Sequence, residues 1–169
     1  MRAVRAFAPG RTEIAGNHTD HQGGRVVAAA VSCGLEMLLQ PRADECAHVD
    51  SEGFAPFEIA LDDVAARVDE RGTTESLVRG VVAGLRGRGV PVGGFGVKAR
   101  STVPPGGGLS SSAAFELALG AGLEALFGEP GGDPMAPTDL ALIGQAAERD
   151  YFGKPCGLMD QLAVACGGV

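Results

Sequence analysis

Val103-Pro104-Pro105-Gly106-Gly107-Gly108-Leu109-Ser110-Ser111-Ser112-Ala113-Ala114 is the stretch on which the reading of this chain turns. Its three successive glycines open backbone conformations closed to other residues and let the main chain approach a ligand closely. The loop leads straight into an apolar run that ends at Phe127-Gly128, which predicts a helix over 110–127 with a glycine after it. A helix start carries unpaired N–H groups and the positive end of the dipole, and both favour an anion. Serines there can cap the helix or bind phosphate oxygens or a hard cation. The lysine of the GxxxxGK[ST] loop is missing, so this is not a phosphate loop of that type. Taken alone, a flexible glycine turn with a serine N-cap accounts for the stretch as well as a phosphate site does.

Outward from this loop, the pattern mixes strands with long helices and lacks strict βαβ alternation, which predicts an α+β fold. Residues 3–8 form a short strand closed by a Pro9-Gly10 turn, and 11–24 form a polar loop. The run 25–40 reads as one or two buried strands with Gly34 as a bend or bulge, and 42–62 as short edge strands. Leu77, Val78, Val81, Val82 and Leu85 recur at helical spacing and predict a helix over 74–88. A strand follows over 95–99. Thr138 or Asp139 caps a helix that runs to about Phe152, and Leu158 to Ala165 begins another.

The chain has 169 residues, 45% of them hydrophobic and 21% charged, which suits one domain with a real core. A net charge of -7 and the absence of Trp argue against nucleic acid as a partner. No segment approaches the roughly 20 apolar residues of a membrane span. The opening Met1-Arg2-Ala3-Val4-Arg5 lacks a signal-peptide core, so the expected compartment is the cytoplasm. Cys33, Cys46, Cys156 and Cys166 match no zinc or CxxC spacing. They read as reduced core residues, Cys46 excepted. The chain stops at Gly167-Gly168-Val169 without a polar tail, and is expected to be cut rather than completed.

Two further segments carry candidate chemistry. In Pro9-Gly10-Arg11-Thr12-Glu13-Ile14-Ala15-Gly16-Asn17-His18-Thr19-Asp20-His21, an arginine fork, an amide, an imidazole and a carboxylate crowd one short stretch. Such groups suit a polyhydroxylated ligand, whose hydroxyls each need a partner. A solvated polar turn is the plain alternative, and a His18/Asp20/His21 metal cluster fits no known spacing. In Glu148-Arg149-Asp150-Tyr151-Phe152-Gly153-Lys154-Pro155-Cys156-Gly157-Leu158-Met159-Asp160-Gln161, Asp160 stands at a helix start among apolar neighbours. There it reads as an N-cap or as a working carboxylate.

The three segments together resemble the GHMP small-molecule kinases, and within them the galactokinases. The glycine–serine stretch is similar to that family's second signature, which wraps the ATP phosphates. The resemblance implies that Gly106, Gly107, Gly108, Leu109, Ser110, Ser111 and Ser112 cradle the triphosphate, with Ser112 and Glu148 as Mg²⁺ ligands. The polar loop is similar to the galactokinase signature GRxNxIGEHxDY, matched at Gly10, Arg11, Gly16, His18 and Asp20. It departs at Glu13 (Asn in the signature), Ala15 (Ile), Asn17 (Glu) and His21 (Tyr). Gly157-Leu158-Met159-Asp160-Gln161 resembles the family's GIMDQ segment.

By that resemblance, Asn17, His18, Thr19, Asp20 and Gly157 would bind the sugar, galactose. Asp160 would accept or orient the proton of its C1 hydroxyl, and Arg11 would keep Asp160 ionised beside the transferring phosphoryl group. The implied fold is the GHMP N-terminal domain, a mixed sheet packed with helices. The implied reaction is ATP- and Mg²⁺-dependent phosphorylation of α-D-galactose to galactose 1-phosphate. A kinase for N-acetylgalactosamine or arabinose and a non-catalytic galactose/ATP sensor are the rival readings. The resemblance further implies a C-terminal domain beyond these residues, without which weak or no turnover is expected.

Overall fold

The computed structural model describes residues 3–104 and 107–168. Its strands are β1 (Val4–Ala15), β2 (Val27–Pro41), β3 (Cys46–Ser51), β4 (Phe57–Ala60) and β5 (Phe95–Ser101). The helices are α1 (Thr74–Arg86), α2 (Ser111–Phe127), α3 (Pro137–Ala146) and α4 (Met159–Cys166). The strands form one sheet in the order β1-β2-β5-β3-β4. All pairings are antiparallel except β3 with β5. A parallel pair needs a crossover, and α1 supplies it between β4 and β5. The expected α+β architecture with a mixed sheet is therefore what forms.

Alternation decides which face of the sheet is covered. Leu35, Met37 and Leu39 on β2, Ala47 and Val49 on β3, and Phe95, Val97 and Ala99 on β5 are buried, while Glu36, Lys98 and Arg100 are exposed. Helices α2 and α4 lie against β1 and β2, and α1 and α3 pack on α2. The five apolar residues of α1 singled out by spacing are all buried. Leu39, Leu85, Leu119 and Leu123 are fully buried. Burying each such side chain contributes about 1.5–3 kcal/mol.

Several local expectations change. Pro9-Gly10 does not end β1, which continues to Ala15 with a register shift between Pro9 and Arg11, opposite Gly34. Proline is tolerated because β1 is an edge strand. Gly34 does lie at this irregularity, as its bend reading implied. Of the two short strands in 42–62, only β4 is at the edge, because β3 lies between β5 and β4.

Helix α3 is capped at Ala136 with Pro137 in its first turn, so Thr138 and Asp139 lie inside the helix. It passes into a π-helical turn over Ala147–Phe152 rather than running on as α-helix. Helix α4 has Leu158 at its N-cap, so Asp160 is a first-turn residue and not the cap. None of the four cysteines is fully buried, and Cys166 at the end of α4 is exposed. Among the described residues, no helix is long and apolar enough to cross a membrane.

Candidate active site

The register shift in β1 creates the site. It lets Arg11 turn inward, where it is 5% exposed, and frees its N–H to bond the Leu109 carbonyl at 3.0 Å. The strand and the glycine loop are thereby stitched together. Gly10 makes the approach possible, since a Cβ there would lie 2.9 Å from the Leu109 oxygen. The Arg11 guanidinium donates Nη1–H to the Gly108 carbonyl at 2.6 Å. Its Nε and Nη2 donate to the two oxygens of Asp160 at 2.6 and 2.8 Å. This is the fork-to-carboxylate geometry in which arginine is strongest.

Ser110, at the N-cap of α2, adopts left-handed φ 53 and makes no side-chain cap. Its hydroxyl donates to Asp160 instead. The first-turn N–H groups of α2 therefore remain available at the mouth of a polar cleft of about 310 Å³. Arg11, Pro104, Gly107, Gly108, Leu109, Ser110, Ser111, Ser112, Lys154 and Asp160 line that cleft. Burial pushes the Asp160 carboxyl up, but the hydrogen bonds from Arg11 and Ser110 and the Arg11 charge outweigh it and hold the group below its ordinary value. Asp160 is thus a carboxylate at neutral pH.

Glu148 sits on the π-helical turn, 1% exposed. Its Oε1 accepts from Ser112 Oγ at 3.0 Å and from Lys154 Nζ at 2.9 Å. Its Oε2 accepts from Gln161 Nε2 at 2.8 Å, and the same amide donates to Glu116 Oε2 at 3.1 Å. Glu116 is buried in α2; burial first, then the Glu148 charge, push its carboxyl up to about 8. Burial lowers the Lys154 ammonium, but its hydrogen bond to Glu148 and the nearby carboxylates more than reverse this.

The polar loop packs beside the start of α4. Asn17 and His18 both take left-handed backbone, with φ 54 and 51. The His18 N–H donates to the Glu13 carboxylate at 3.0 and 3.2 Å. Thr19 turns its hydroxyl onto the Gly16 carbonyl at 2.8 Å. Asp20 Oδ2 accepts from the Met159 N–H at 3.0 Å, tying the loop to the start of α4. Gly157 is required beneath it, because a Cβ there would lie 1.9 Å from Asp20 Oδ2. His21 Nδ1 lies 2.6 Å from the His18 carbonyl, so His18, Asp20 and His21 face three different partners.

Arg11, Asp160 and Gly107 to Ser112 thus share one cleft, while Glu148 lies behind Ser112 and residues 17–20 and 157 flank α4. Gly106 lies outside the described residues. Sequence reasoning passed over Lys154, Glu116, Gln161 and the role of Glu13. Glu116 did leave a signal, as the one charged residue between Ser111 and Leu123.

The model for the GHMP kinases N terminal domain matches residues 76–168, more than half the chain. The chain belongs to the GHMP kinases. A second model, the galactokinase galactose-binding signature, matches residues 2–41 of this GHMP kinase. It is 38% identical over 162 residues to the galactokinase of Chloroflexus aurantiacus and 34% identical over 165 residues to that of Bacillus subtilis. These alignments cover 96% and 95% of this chain but only 40% and 41% of the relatives, so the chain spans about two fifths of their length. Among solved structures, Lactococcus lactis galactokinase complexed with galactose matches with a TM-score of 0.87 at 32% identity, covering 98% of this chain and 42% of that one. Methanococcus jannaschii mevalonate kinase matches with a TM-score of 0.81 at 15% identity, covering 98% of this chain and 52% of that one, and shares the fold.

Proposed function

We propose that this GHMP kinase acts as a galactokinase, transferring the γ-phosphoryl group of ATP to the C1 hydroxyl of α-D-galactose to give galactose 1-phosphate and ADP in the cytoplasm. One observation carries the reading. Asp160 is ionised, clamped by Arg11 and Ser110, and lies in the same cleft as the glycine loop and the open start of α2. A triphosphate seated on those N–H groups brings its γ-phosphorus toward Asp160, the one carboxylate among the described residues that line the cleft. Asp160 orients the attacking hydroxyl. Because Arg11 and Ser110 lower its basicity, it takes the proton late, as the new O–P bond forms. Arg11, beside it, offsets charge on the transferring group.

Ser112 lines the cleft, and Glu148 lies behind it with Oε1 3.0 Å from Ser112 Oγ and 2.9 Å from Lys154 Nζ, so the two supply hard oxygens side by side. That set fits Mg²⁺, which takes its remaining ligands from water and phosphate. When bound, Mg²⁺ neutralises phosphate charge. An apolar cleft of about 460 Å³ shares Ser111 and Ser112 with the polar one and is lined by Phe54, Phe57, Phe115 and Phe152. It suits a flat nucleobase.

An ADP-release assay on the intact protein with a sugar panel tests the reading, with galactose expected to be the preferred acceptor. Asp160→Asn should lower turnover by about 10²–10⁴-fold while sugar binding persists. Sugar binding without ADP release in the unmodified protein would instead mark a sensor. Preference for N-acetylgalactosamine or arabinose would move the substrate within the family.

A further inference from the structure

We infer that Glu13 is a positioning residue of the polar loop, and that Glu13 and Asn17 work as a matched pair in which the loop's carboxylate fixes His18 while an amide is left facing solvent. The inference rests on the reading of this loop as the sugar site. Glu13 lies on β1 opposite Ala28, with its side chain 13% exposed. Its carboxylate takes the His18 backbone N–H at 3.0 and 3.2 Å and meets the His18 ring at Nε2, 2.9 Å from Oε2. One side chain thus holds both ends of one histidine.

The conformation it holds is a costly one. Asn17 and His18 are successive non-glycine residues in the left-handed region. Such residues persist only where their surroundings over-determine them. Asparagine is among the few side chains that tolerate this backbone. The galactokinase signature carries Asn at position 13 and Glu at position 17, and this chain carries the same two residue types exchanged. With Glu13 committed to His18, a glutamate at 17 would add a second carboxylate at the chain neighbour of the first one's partner. The exchange is therefore coherent only when made at both positions. Asn17 is exposed and presents a neutral amide where the signature presents charge.

The test uses the intact protein with galactose as probe. Glu13→Ala should weaken galactose binding about tenfold, the scale of a lost charge-assisted hydrogen bond. It should raise the galactose KM, leave the ATP KM within about twofold, and shift the His18 imidazole ¹⁵N resonances. Glu13→Gln, isosteric and uncharged, should show the same ring signature with a smaller loss, which separates charge from cavity effects. Asn17→Glu alone should also bind galactose poorly, and Glu13→Asn with Asn17→Glu together should recover most of the affinity. Unchanged His18 resonances and affinity in Glu13→Ala, or a double variant as weak as the two single losses combined, would overturn the inference. If the unmodified protein binds no sugar, the galactokinase reading fails instead, and the ring resonances still decide whether Glu13 holds His18.

Discussion

Arg11 and Asp160, 149 residues apart in the chain, grip each other through two parallel hydrogen bonds, Nε to Oδ1 at 2.6 Å and Nη2 to Oδ2 at 2.8 Å. The pair joins β1 to α4, and it sets the charge state of the one carboxylate that, among the described residues, lines the polar cleft. Lysine cannot reproduce the fork. Arg11→Lys should therefore fold but turn over about 10²–10³-fold more slowly. The Asp160 carboxyl, released from its strongest partner, should titrate higher. The acidic limb of the rate–pH profile should move to higher pH, and steady-state kinetics across pH would show it.

Much of this was legible beforehand, and the failures have physical causes. Helix α1 announced itself because its buried residues follow the helical period and its ends carry ordinary signals. The meeting of Arg11, Asp160 and Ser110 was visible only through resemblance, since no local pattern links positions so far apart. Pro9-Gly10 signals a turn locally, so the sequence alone ends the first strand there. Pairing with β2 and the Leu109 carbonyl override that signal. The start of α4 misled in a similar way. Asp160 has the composition of an N-cap, yet Arg11 and Ser110 draw its side chain away from the helix end. Lys154 was invisible as a site residue because only the π-helical turn brings it onto Glu148.

Glu116 gives stability a pH dependence. Burial, then the Glu148 charge, raise its carboxyl to about 8 in the folded chain, against 4.5 ordinarily. The folded state therefore binds more protons than the unfolded state between those values. The stabilising contribution is complete below the lower value and is lost as pH rises through the upper one. The slope approaches about 1.4 kcal/mol per pH unit. Glu116→Gln, neutral at every pH, should remove this slope, as urea unfolding from pH 5 to 8 would show.

Phe54 offers a clean probe of the apolar cleft. It is 73% exposed, so it contributes little to the core, yet it lines the cleft that adjoins Ser111 and Ser112. Phe54→Ala should leave stability within about 0.5 kcal/mol of the native protein. Loss of an aromatic contact should raise the ATP KM about two- to tenfold, with the galactose KM unaltered. Equal effects on both substrates would place the base elsewhere.

Gly10 tests whether the stitching of β1 to the glycine loop matters to binding. A Cβ at position 10 would lie 2.9 Å from the Leu109 carbonyl oxygen and 3.2 Å from a Val31 methyl. The first contact is with backbone, which cannot swing aside as a flexible side chain can. Gly10→Ala must therefore push the loop outward, lengthening the Arg11 N–H bond to Leu109 and the Arg11 Nη1 bond to Gly108. Overpacking of this kind costs about 1–3 kcal/mol. Thermal unfolding should report that loss. Nucleotide affinity should fall with it, because the displaced residues, Gly108 and Leu109, line the polar cleft. Galactose affinity measured without nucleotide should change less, since Asp20 remains bonded to the Met159 N–H, away from the displaced loop. A variant that lost stability while keeping native nucleotide affinity would show that the loop tolerates displacement and that its contact with β1 serves the fold alone.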